Sequence, residues 1–336
     1  MTEPPLPVVL RRLIGGHQIS QAIHVAAVLG IADLLADGPR SSDDLAEAAD
    51  ADPESLYRLV RALASIGVLS EDEGRRFSLT PLGKCLRSDA PESLAGLAAN
   101  AGRPYYWQAW SSLLHSVRTG ESAFRHLHGT DVWEYRLQHP EDGAIFDAAM
   151  TSMTRHLHRS LLEAYDFGRF GTVVDVGGGR GAMLAAILRA HPRSNGVLFD
   201  QPHVVEAAGA LLEEEGVADR CRIEAGSFFD AVPEGGDAYL LKFIVHDWED
   251  EEAGAILRTI RRAVAAEGTL LVLERLVGPP NEDADVKFSD LNMLVMPGGR
   301  ERTTDEFAAL FARAGFELVR AVPSESGVSV LEGAPR

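Results

Sequence analysis

Cysteine is nearly absent from this sequence, which has two cysteines among 336 residues. Cys85 and Cys221 lie far apart and match no metal-binding or redox spacing, so neither a zinc site nor a disulfide framework is predicted. We expect both to be small buried side chains. Any chemistry must come from other residue types.

Long hydrophobic runs are also missing. No apolar stretch reaches the ~20 residues that a membrane-spanning helix needs. The first residues, MTEPPLPVVLRRLIGG, lack the basic start and apolar core of a secretory signal. We expect a cytoplasmic protein with no membrane partner.

Positive charge is in deficit. Lysine and arginine number 32 against 50 aspartates and glutamates, which gives a formal net charge of −18. An acidic surface repels the phosphates of nucleic acids and of anionic lipids. The composition therefore argues against a nucleic-acid partner.

The first hundred residues show the pattern of a winged helix. Apolar residues recur at helical spacing over residues 17–35. A short helix over residues 43–49, with Ser42 as its N-cap, precedes a second helix that Asp52 caps. Two short strands then form a wing within residues 68–80. We predict a mostly helical winged-helix domain over residues 1–100, in which the apolar first helix favours dimerisation.

A winged helix also raises the alternative of a transcription regulator with a ligand-sensing second domain. The second helix carries Arg58 and Arg61, and the wing carries Arg75 and Arg76. Acidic residues lie among these arginines, namely Glu54, Glu71, Asp72 and Glu73, and the first helix is acidic. A DNA-binding surface normally presents a basic stripe. The pattern therefore favours a dimerising role for this domain.

From residue 171 the pattern changes to short β-rich runs that alternate with helices. Such alternation is typical of a parallel sheet with helices on both faces. The last two runs, FELVRAV and VSVLEG, are joined by a short link that favours an antiparallel hairpin. We predict an α/β, Rossmann-like doubly wound domain over residues 155–336. A helical linker over residues 101–154 connects it to the first domain.

A glycine-rich loop follows the first strand of that domain, in VVDVGGGRGAM. Gly177, Gly179 and Gly181 permit a tight turn and close approach of a ligand, because they lack a Cβ. The loop also satisfies the loose G-x-G-x-x-A dinucleotide pattern, so an NAD-dependent dehydrogenase is an alternative. With Asp175 before the glycines, D-x-G-x-G-x-G resembles the first motif of class I methyltransferases, which faces S-adenosylmethionine.

Two further strand ends carry candidate cofactor contacts. Asp200 ends the second strand and could accept hydrogen bonds from both hydroxyls of a ribose. NAD and S-adenosylmethionine both contain such a ribose, so Asp200 does not separate them. Ser227 and Phe228 follow the third strand, where this kind of fold usually meets the adenine ring.

The fourth strand runs into the segment YLLKFIVHDWEDEEA. The motif K-x-x-x-H-D-W-x-D-E, together with P-G-G-R-E-R-T at residues 297–303, resembles the plant-type O-methyltransferase family, whose bacterial members modify secondary metabolites. The resemblance covers nearly the whole chain. It implies a homodimeric enzyme that uses S-adenosylmethionine, needs no metal and releases S-adenosylhomocysteine. The acceptor it implies is a hydroxyl, expected to be phenolic, on a small aromatic molecule.

The resemblance also implies roles for particular residues. His246, in the HDW motif, matches the family's general base, and a histidine titrating near ~6.5 suits removal of a phenolic proton. Glu274 and Glu301 match the two acids that flank this histidine in the family. Lys242 and Trp248 match positions beside the adenosyl group and over the adenine.

The acceptor site is indicated only by residue type and position. Aromatic and methionine side chains suit a flat, apolar acceptor. The candidates are Trp107, Trp110, Trp133, Phe146, Met150, Met153, Asn292, Met293 and Met296. The histidine and its two acids favour an oxygen acceptor, with an N-methyltransferase or a hydroxylase-like relative as the alternatives.

Overall fold

The computed structural model describes residues 4–91 and 93–336, except for the side chains of residues 154–156. The chain folds into two compact units. The first comprises residues 1–107 and 136–156, and the second comprises residues 108–135 and 157–336.

The first unit combines short helices with a small antiparallel sheet. Its strands are β1 (Arg40–Ser41), β2 (Leu69–Glu71) and β3 (Arg76–Leu79), in the order β1-β3-β2. The helices before residue 102 are α1 (Leu6–Ile14), α2 (Gly16–Val28), α3 (Ile31–Leu34), α4 (Ser42–Ala48), α5 (Pro53–Ser65) and α6 (Ala95–Ala101). A core that includes Leu45, Val60, Leu63 and Phe77, all fully buried, holds α4 and α5 against the sheet.

Three details of this unit differ from the sequence predictions. The helix predicted over residues 17–35 is broken, because Gly30 adopts a left-handed conformation (φ +65°) between α2 and α3. Ser41, rather than Ser42, caps α4: its Oγ accepts from the Asp44 N–H at 3.1 Å, and the Asp44 carboxylate accepts from the Ser41 N–H at 3.3 Å. Strand β1 was not predicted, because two residues leave no periodic pattern.

Other local predictions are confirmed. Asp52 caps α5 by accepting the Ser55 N–H at 2.9 Å. Cys85 and Cys221 are free, although they are half-buried rather than buried.

Five helices follow one another along the chain between residues 104 and 164. They are α7 (Pro104–Ser111), α8 (Leu113–Thr119), α9 (Ala123–His128), α10 (Val132–Gln138) and α11 (Pro140–Ala164). Among the residues that the structure describes, every helix is too short or too polar to span a bilayer.

The second unit is built on a seven-stranded sheet within the described chain. Its strands are β4 (Thr172–Val176), β5 (Asn195–Asp200), β6 (Cys221–Ala225), β7 (Ala238–Lys242), β8 (Thr269–Arg275), β9 (Phe316–Pro323) and β10 (Val328–Pro335). The order is β6-β5-β4-β7-β8-β10-β9, and β10 is antiparallel to both neighbours while the pairs from β6 to β8 are parallel. The predicted doubly wound sheet and its closing hairpin are confirmed.

Six helices follow in this unit. They are α12 (Ala182–Ala190), α13 (Pro202–Val205), α14 (Ala208–Glu214), α15 (Asp250–Ala263), α16 (Ala284–Val295) and α17 (Thr304–Arg313). The sequence predicts one helix over residues 203–215 where the structure has α13 and α14. It does not predict α16, whose apolar residues show little helical periodicity.

The central strands are buried on both faces, which is why they read as continuous apolar runs. Val174 of β4 pairs with Val197 of β5 and with Tyr239 of β7, and all three side chains are buried. Asp175 is the exception in β4, a carboxylate only 1% exposed. In parallel sheets the ligand site forms at the carboxyl ends of the strands, and the candidate residues lie at that edge.

Candidate active site

The candidate catalytic residue lies on a short turn at the carboxyl end of β7. After Lys242 the chain passes through Phe243, whose φ of +55° is rare for an aromatic residue. A single 3-10 turn, Val245–Asp247, follows and carries His246. The histidine is only 7% exposed, so its ring depends on protein groups for its hydrogen bonds.

Two glutamates converge on one nitrogen of that ring. His246 Nδ1 lies 3.1 Å from Glu301 Oε1 and 3.2 Å from Glu274 Oε2. Both acids are buried, with exposures of 2% and 0%. Glu274 Oε1 also accepts the backbone N–H of His246 at 3.2 Å. The structure thus brings the three predicted catalytic residues together, although they lie 27 to 55 positions apart in sequence.

The charges of this cluster oppose the effect of burial. Burial lowers the pKa of His246, but the negative charges of Glu274, Asp247 and Glu301 outweigh it and raise that pKa above the ordinary value. Burial raises the pKa of Glu274 to about 7. For Glu301, hydrogen bonds from His246 and Ser289 outweigh burial and lower the pKa. The imidazole is therefore a stronger base than a free histidine.

The donor atoms of this cluster lie within 4.8 Å of one another, a spacing that a metal ion also accepts. Both acids face the same ring nitrogen at hydrogen-bond distance. That arrangement is typical of an imidazole whose tautomer and orientation are held by carboxylates. We therefore interpret the cluster as a proton-transfer group.

The segment after α16 holds the turn in place. The Arg300 N–H donates to the His246 carbonyl at 2.8 Å. The fully buried Arg302 guanidinium donates to the carbonyls of Val245 at 3.0 Å and Trp248 at 2.9 Å, and it is paired with Asp250. Buried carbonyls are costly unless they are hydrogen-bonded, so these bonds fix the backbone on either side of the histidine.

The ring of Phe243 lies parallel to the imidazole of His246. Their centroids are 5.4 Å apart with an interplanar angle of 7°. The Lys242 ammonium and the Arg275 guanidinium lie 4.7 and 5.3 Å from the same aromatic centroid. The left-handed backbone at Phe243 is what turns its side chain back onto the histidine.

The glycine loop between β4 and α12 has a backbone that only glycine adopts readily. Gly177, Gly179 and Gly181 have φ values of +71°, +62° and +85°, which are strained for residues with a Cβ. The Asp200 carboxylate accepts the Gly179 N–H at 2.8 Å, so it ties β5 to this loop. Its other oxygen accepts the Gln201 N–H at 2.7 Å, and the residue remains half-exposed.

Asp175 and Lys242 are buried ionisable groups beside the loop, and the charge of each affects the pKa of the other. Both Asp175 oxygens are buried without a well-aligned hydrogen-bond partner among the described residues. Burial raises the pKa of Asp175 to about 7, against the charge of Lys242, and burial lowers the pKa of Lys242 to about 8, against the charge of Asp175. An orphaned buried carboxylate and a glycine loop fit a ligand with a cationic amino-acid part.

An aromatic cluster lies where an adenine ring was expected. Trp248 meets Phe229 edge-on at 4.8 Å and Phe228 edge-on at 6.1 Å, and it stacks with Trp133 at 6.4 Å. Ser227 Oγ accepts the Phe229 N–H at 3.2 Å. Flat apolar faces beside a small polar group suit a purine.

The candidate acceptor residues are divided between the two units. In the second unit, Trp110 Nε1 donates to Asn292 Oδ1 at 3.1 Å, and Met293 and Met296 are buried on or just after α16. Trp133, in the same unit, stacks with Trp248. The others lie in the first unit, namely Trp107, Phe146, Met150 and Met153.

Two of the four candidates in the first unit contact other side chains of that unit. Trp107 meets His17 edge-on at 6.4 Å. The Arg136 guanidinium lies 3.3 Å from the centroid of the Phe146 ring. Met150 and Met153 are half-buried on α11.

Several residues that hold the site were not singled out from the sequence. Ser289 donates to Glu301, and Asp290 accepts the Glu301 N–H. Gly299 packs so closely that a Cβ there would overlap the backbone of His246, Asp247 and Trp248. The P-G-G-R-E-R-T motif contains Gly299, but Ser289 and Asp290 carry no sequence signal.

Comparison with known proteins assigns the chain to a family. The O-methyltransferase domain matches residues 110–317, and the O-methyltransferase dimerisation domain matches residues 11–89. The chain belongs to the O-methyltransferase family. This membership sets aside the dehydrogenase and regulator alternatives and makes the chain an enzyme.

Individual O-methyltransferases resemble the chain over nearly its full length. Phenazine O-methyltransferase PhzM of Lysobacter antibioticus is 45% identical over 331 residues, which cover 98% of this chain and 97% of that protein. The crystal structure of LaPhzM has a TM-score of 0.96 at 44% identity, covering 99% of this chain and 100% of that one.

A third relative carries its ligands. NcsB1, an O-methyltransferase from neocarzinostatin biosynthesis, was solved in complex with S-adenosylmethionine and 2-hydroxy-5-methyl naphthoic acid. It has a TM-score of 0.79 at 35% identity, covering 95% of this chain and 96% of that one. S-adenosylmethionine is therefore the cofactor of the present chain, as a member of this family.

Substitution of Gly299 by alanine should displace the turn that carries His246, because the new Cβ meets backbone atoms that cannot rotate away. We expect a loss of about 1–3 kcal/mol in stability and at least a ~10-fold loss of methyl transfer, since small displacements of reacting groups are costly. Thermal unfolding and turnover measure these effects. Gly209→Ala is the control, because a Cβ there meets nothing within 4 Å, and equal behaviour of the two variants would contradict this role of Gly299.

Proposed function

We propose that the chain methylates a phenolic hydroxyl of a small, fused-ring aromatic molecule, with His246 as the general base. The observation that carries the proposal is the engagement of His246 Nδ1 by two buried carboxylates. With Nδ1 held as the donor, Nε2 is the nitrogen that can accept a proton. S-adenosylmethionine supplies an electrophilic methyl group when bound.

The chemistry needs a base in this position. A phenol has a pKa near ~10 and is a weak nucleophile while protonated. His246 removes its proton as the oxygen attacks, and the resulting imidazolium is stabilised by Glu274 and Glu301. The same charges that raise the pKa of His246 thus stabilise the charge that develops during the reaction.

The cofactor is held by residues at the ends of four strands, β4, β5, β6 and β7. Gly177, Gly179 and Gly181 line the loop that faces its amino-acid part, where the buried carboxylate of Asp175 offsets the positive charge. Asp200 binds the ribose hydroxyls, and Lys242 lies near the adenosyl group. Ser227, Phe228 and Trp248 hold the adenine.

The acceptor class follows from the apolar candidates and from relatives. NcsB1 binds a hydroxynaphthoic acid, and PhzM is named for a phenazine. The proposed acceptor-binding residues of the second unit are Trp110, Trp133, Asn292, Met293 and Met296. The sequence candidates Trp107, Phe146, Met150 and Met153 lie in the first unit and stay predictions. A panel of hydroxyphenazines and hydroxynaphthoates, with the matching aryl amines, separates an oxygen acceptor from a nitrogen acceptor.

His246→Ala should leave S-adenosylmethionine affinity within about twofold and lower methyl transfer by ~10²–10⁴-fold, the usual contribution of a general base. Calorimetric titration gives the affinity, and single-turnover assays on the acceptor panel give the rate. His139→Ala, an exposed histidine of the first unit, is the control. Unchanged transfer in His246→Ala would mean that orientation alone drives the reaction.

The rate of methyl transfer should rise with pH beyond the ordinary range of histidine. A raised pKa means that His246 keeps its proton to a higher pH, so the free base appears only as pH increases. Glu274→Gln removes the strongest of the raising charges and should move the midpoint to lower pH by about one unit. The pH profile of single-turnover rates measures both.

The matched control for that experiment is Glu267→Gln, which removes an exposed carboxylate that precedes β8, whereas Glu274 lies near the carboxyl end of that strand. It should leave the midpoint where the wild type has it. A midpoint that stays unchanged in Glu274→Gln would show that Glu274 does not set the proton affinity of His246.

We also propose that the chain forms a homodimer through its first unit. Helix α1 presents a stripe of exposed apolar residues at helical spacing, with Leu6, Leu10, Leu13 and Ile14 between 59% and 83% exposed. A stripe of that kind normally packs against another surface. Residues 11–89 match the O-methyltransferase dimerisation domain, which supports a second copy as that surface.

The double substitution Leu10→Glu and Leu13→Glu should weaken the dimer, because two carboxylates would have to be buried in the interface. Sedimentation velocity at micromolar concentration should show a dimer for the wild type and a larger monomer fraction for the variant. Leu114→Glu, an equally exposed leucine of the second unit (60%), is the control. A monomeric wild type would contradict the proposal.

A further inference from the structure

Helix α16 holds Glu301 at two points with neighbouring residues. Ser289 Oγ donates to Glu301 Oε1 at 2.7 Å, and this is the same oxygen that faces His246 Nδ1 at 3.1 Å. Asp290 Oδ1 accepts the backbone N–H of Glu301 at 2.9 Å. Glu301 is therefore fixed at both its backbone and its carboxylate.

The carboxylate of Glu274 lacks such a hydroxyl donor among the described residues. Its Oε1 accepts the His246 backbone N–H at 3.2 Å, and its Oε2, like Oε2 of Glu301, is buried without a hydrogen-bond partner among the described residues. Both acids nevertheless lie within 3.2 Å of Nδ1. A neutral imidazole has one N–H to donate, so two buried carboxylates compete for it.

We propose that Ser289 is a positioning residue that keeps Glu301 ionised beside His246, so that Glu274 is the acid that takes up a proton first as the pH falls. A second donor on a buried carboxylate stabilises its charge, and a carboxylate without one is neutralised first. This inference rests on the proposed role of His246 as the base. Ser289 acts on the reaction only through Glu301.

The pKa values of Glu274 and Glu301 shift in opposite directions, as the proposal requires. Burial raises both, but it dominates only at Glu274, since hydrogen bonds from His246 and Ser289 lower the pKa of Glu301 below its ordinary value. The asymmetry thus arises from the donors on Glu301 together with the charges of His246 and Arg275, since both side chains are almost completely buried.

Removal of the Ser289 hydroxyl should raise the pKa of His246. Glu301 loses a donor, its carboxylate becomes more basic, and the form with a free Nε2 appears only at higher pH. Other charges facing the cluster are unaltered by this change. They are Asp247 on the same turn, Lys242 on β7, Arg275 on β8 and Asp290 on α16.

The test compares Ser289→Ala with Ser289→Thr, which keeps a hydroxyl, and with the control Ser194→Ala. Ser194 is a buried serine of the same unit whose Oγ donates to the Phe170 carbonyl at 2.8 Å. Single-turnover rates are measured against pH, together with the KM for S-adenosylmethionine. The side-chain nitrogen resonances of ¹⁵N-labelled histidine are titrated by NMR on the full chain without acceptor.

For Ser289→Ala we expect the acidic limb of the pH–rate profile to shift to higher pH by about half a pH unit to one pH unit. Transfer at pH 7 should fall about 3- to 10-fold with KM unchanged, and the His246 resonances should titrate at correspondingly higher pH. Ser289→Thr should return toward the wild-type profile, and Ser194→Ala should match it. A Ser289→Ala profile and NMR titration equal to the wild type would overturn the inference, as would equal shifts in Ser289→Ala and Ser289→Thr.

Failure of this inference is distinguishable from failure of the proposed function. If His246→Ala keeps full activity, the base role itself is wrong. If His246→Ala is inactive while Ser289→Ala titrates like the wild type, only the role of Ser289 is wrong. The NMR titration needs no turnover and reads the protonation of His246 directly.

Discussion

Hydrogen bonds from Arg300 and Arg302 to the backbone of the turn at Val245–Asp247 hold His246 where both glutamates reach it. A buried histidine that could swing away from these acids would lose the interaction that sets its tautomer. Arg302 is fully buried, so its own charge must be satisfied, and three carbonyls and Asp250 satisfy it. The geometry of the catalytic cluster thus depends on a segment more than fifty residues away in sequence.

The electrostatics of the cluster follow from the same burial. In a low-dielectric interior the two carboxylates act strongly on the imidazole, which raises its pKa, and they also act on each other. The two negative charges repel each other, so ionising both carboxylates beside a single imidazole costs free energy. The two acids differ in their donors, because the Ser289 hydroxyl donates to Glu301 while the His246 backbone N–H donates to Glu274.

The cofactor edge and the catalytic turn share one sheet. The glycine loop follows β4, Asp200 ends β5, and Lys242 ends β7, so parallel pairing places all three groups at one edge. The same pairing brings β8 beside β7 and thereby Glu274 beside His246. A single register of hydrogen bonds therefore aligns the glycine loop and Asp200 with the turn that carries His246.

The sequence by itself determined the doubly wound sheet, the glycine loop and the candidate His246, Glu274 and Glu301, because strand periodicity and contiguous motifs are local. It predicted the cap at Asp52 correctly and misplaced the cap at Ser41, where two adjacent serines compete and only one has an acid three residues later. The tertiary structure alone decided the break at Gly30, helix α16, the left-handed backbone at Phe243 and the contact of Ser289 with Glu301. Each of these depends on groups distant in sequence or on a backbone conformation that packing imposes, and neither leaves a periodic pattern to read.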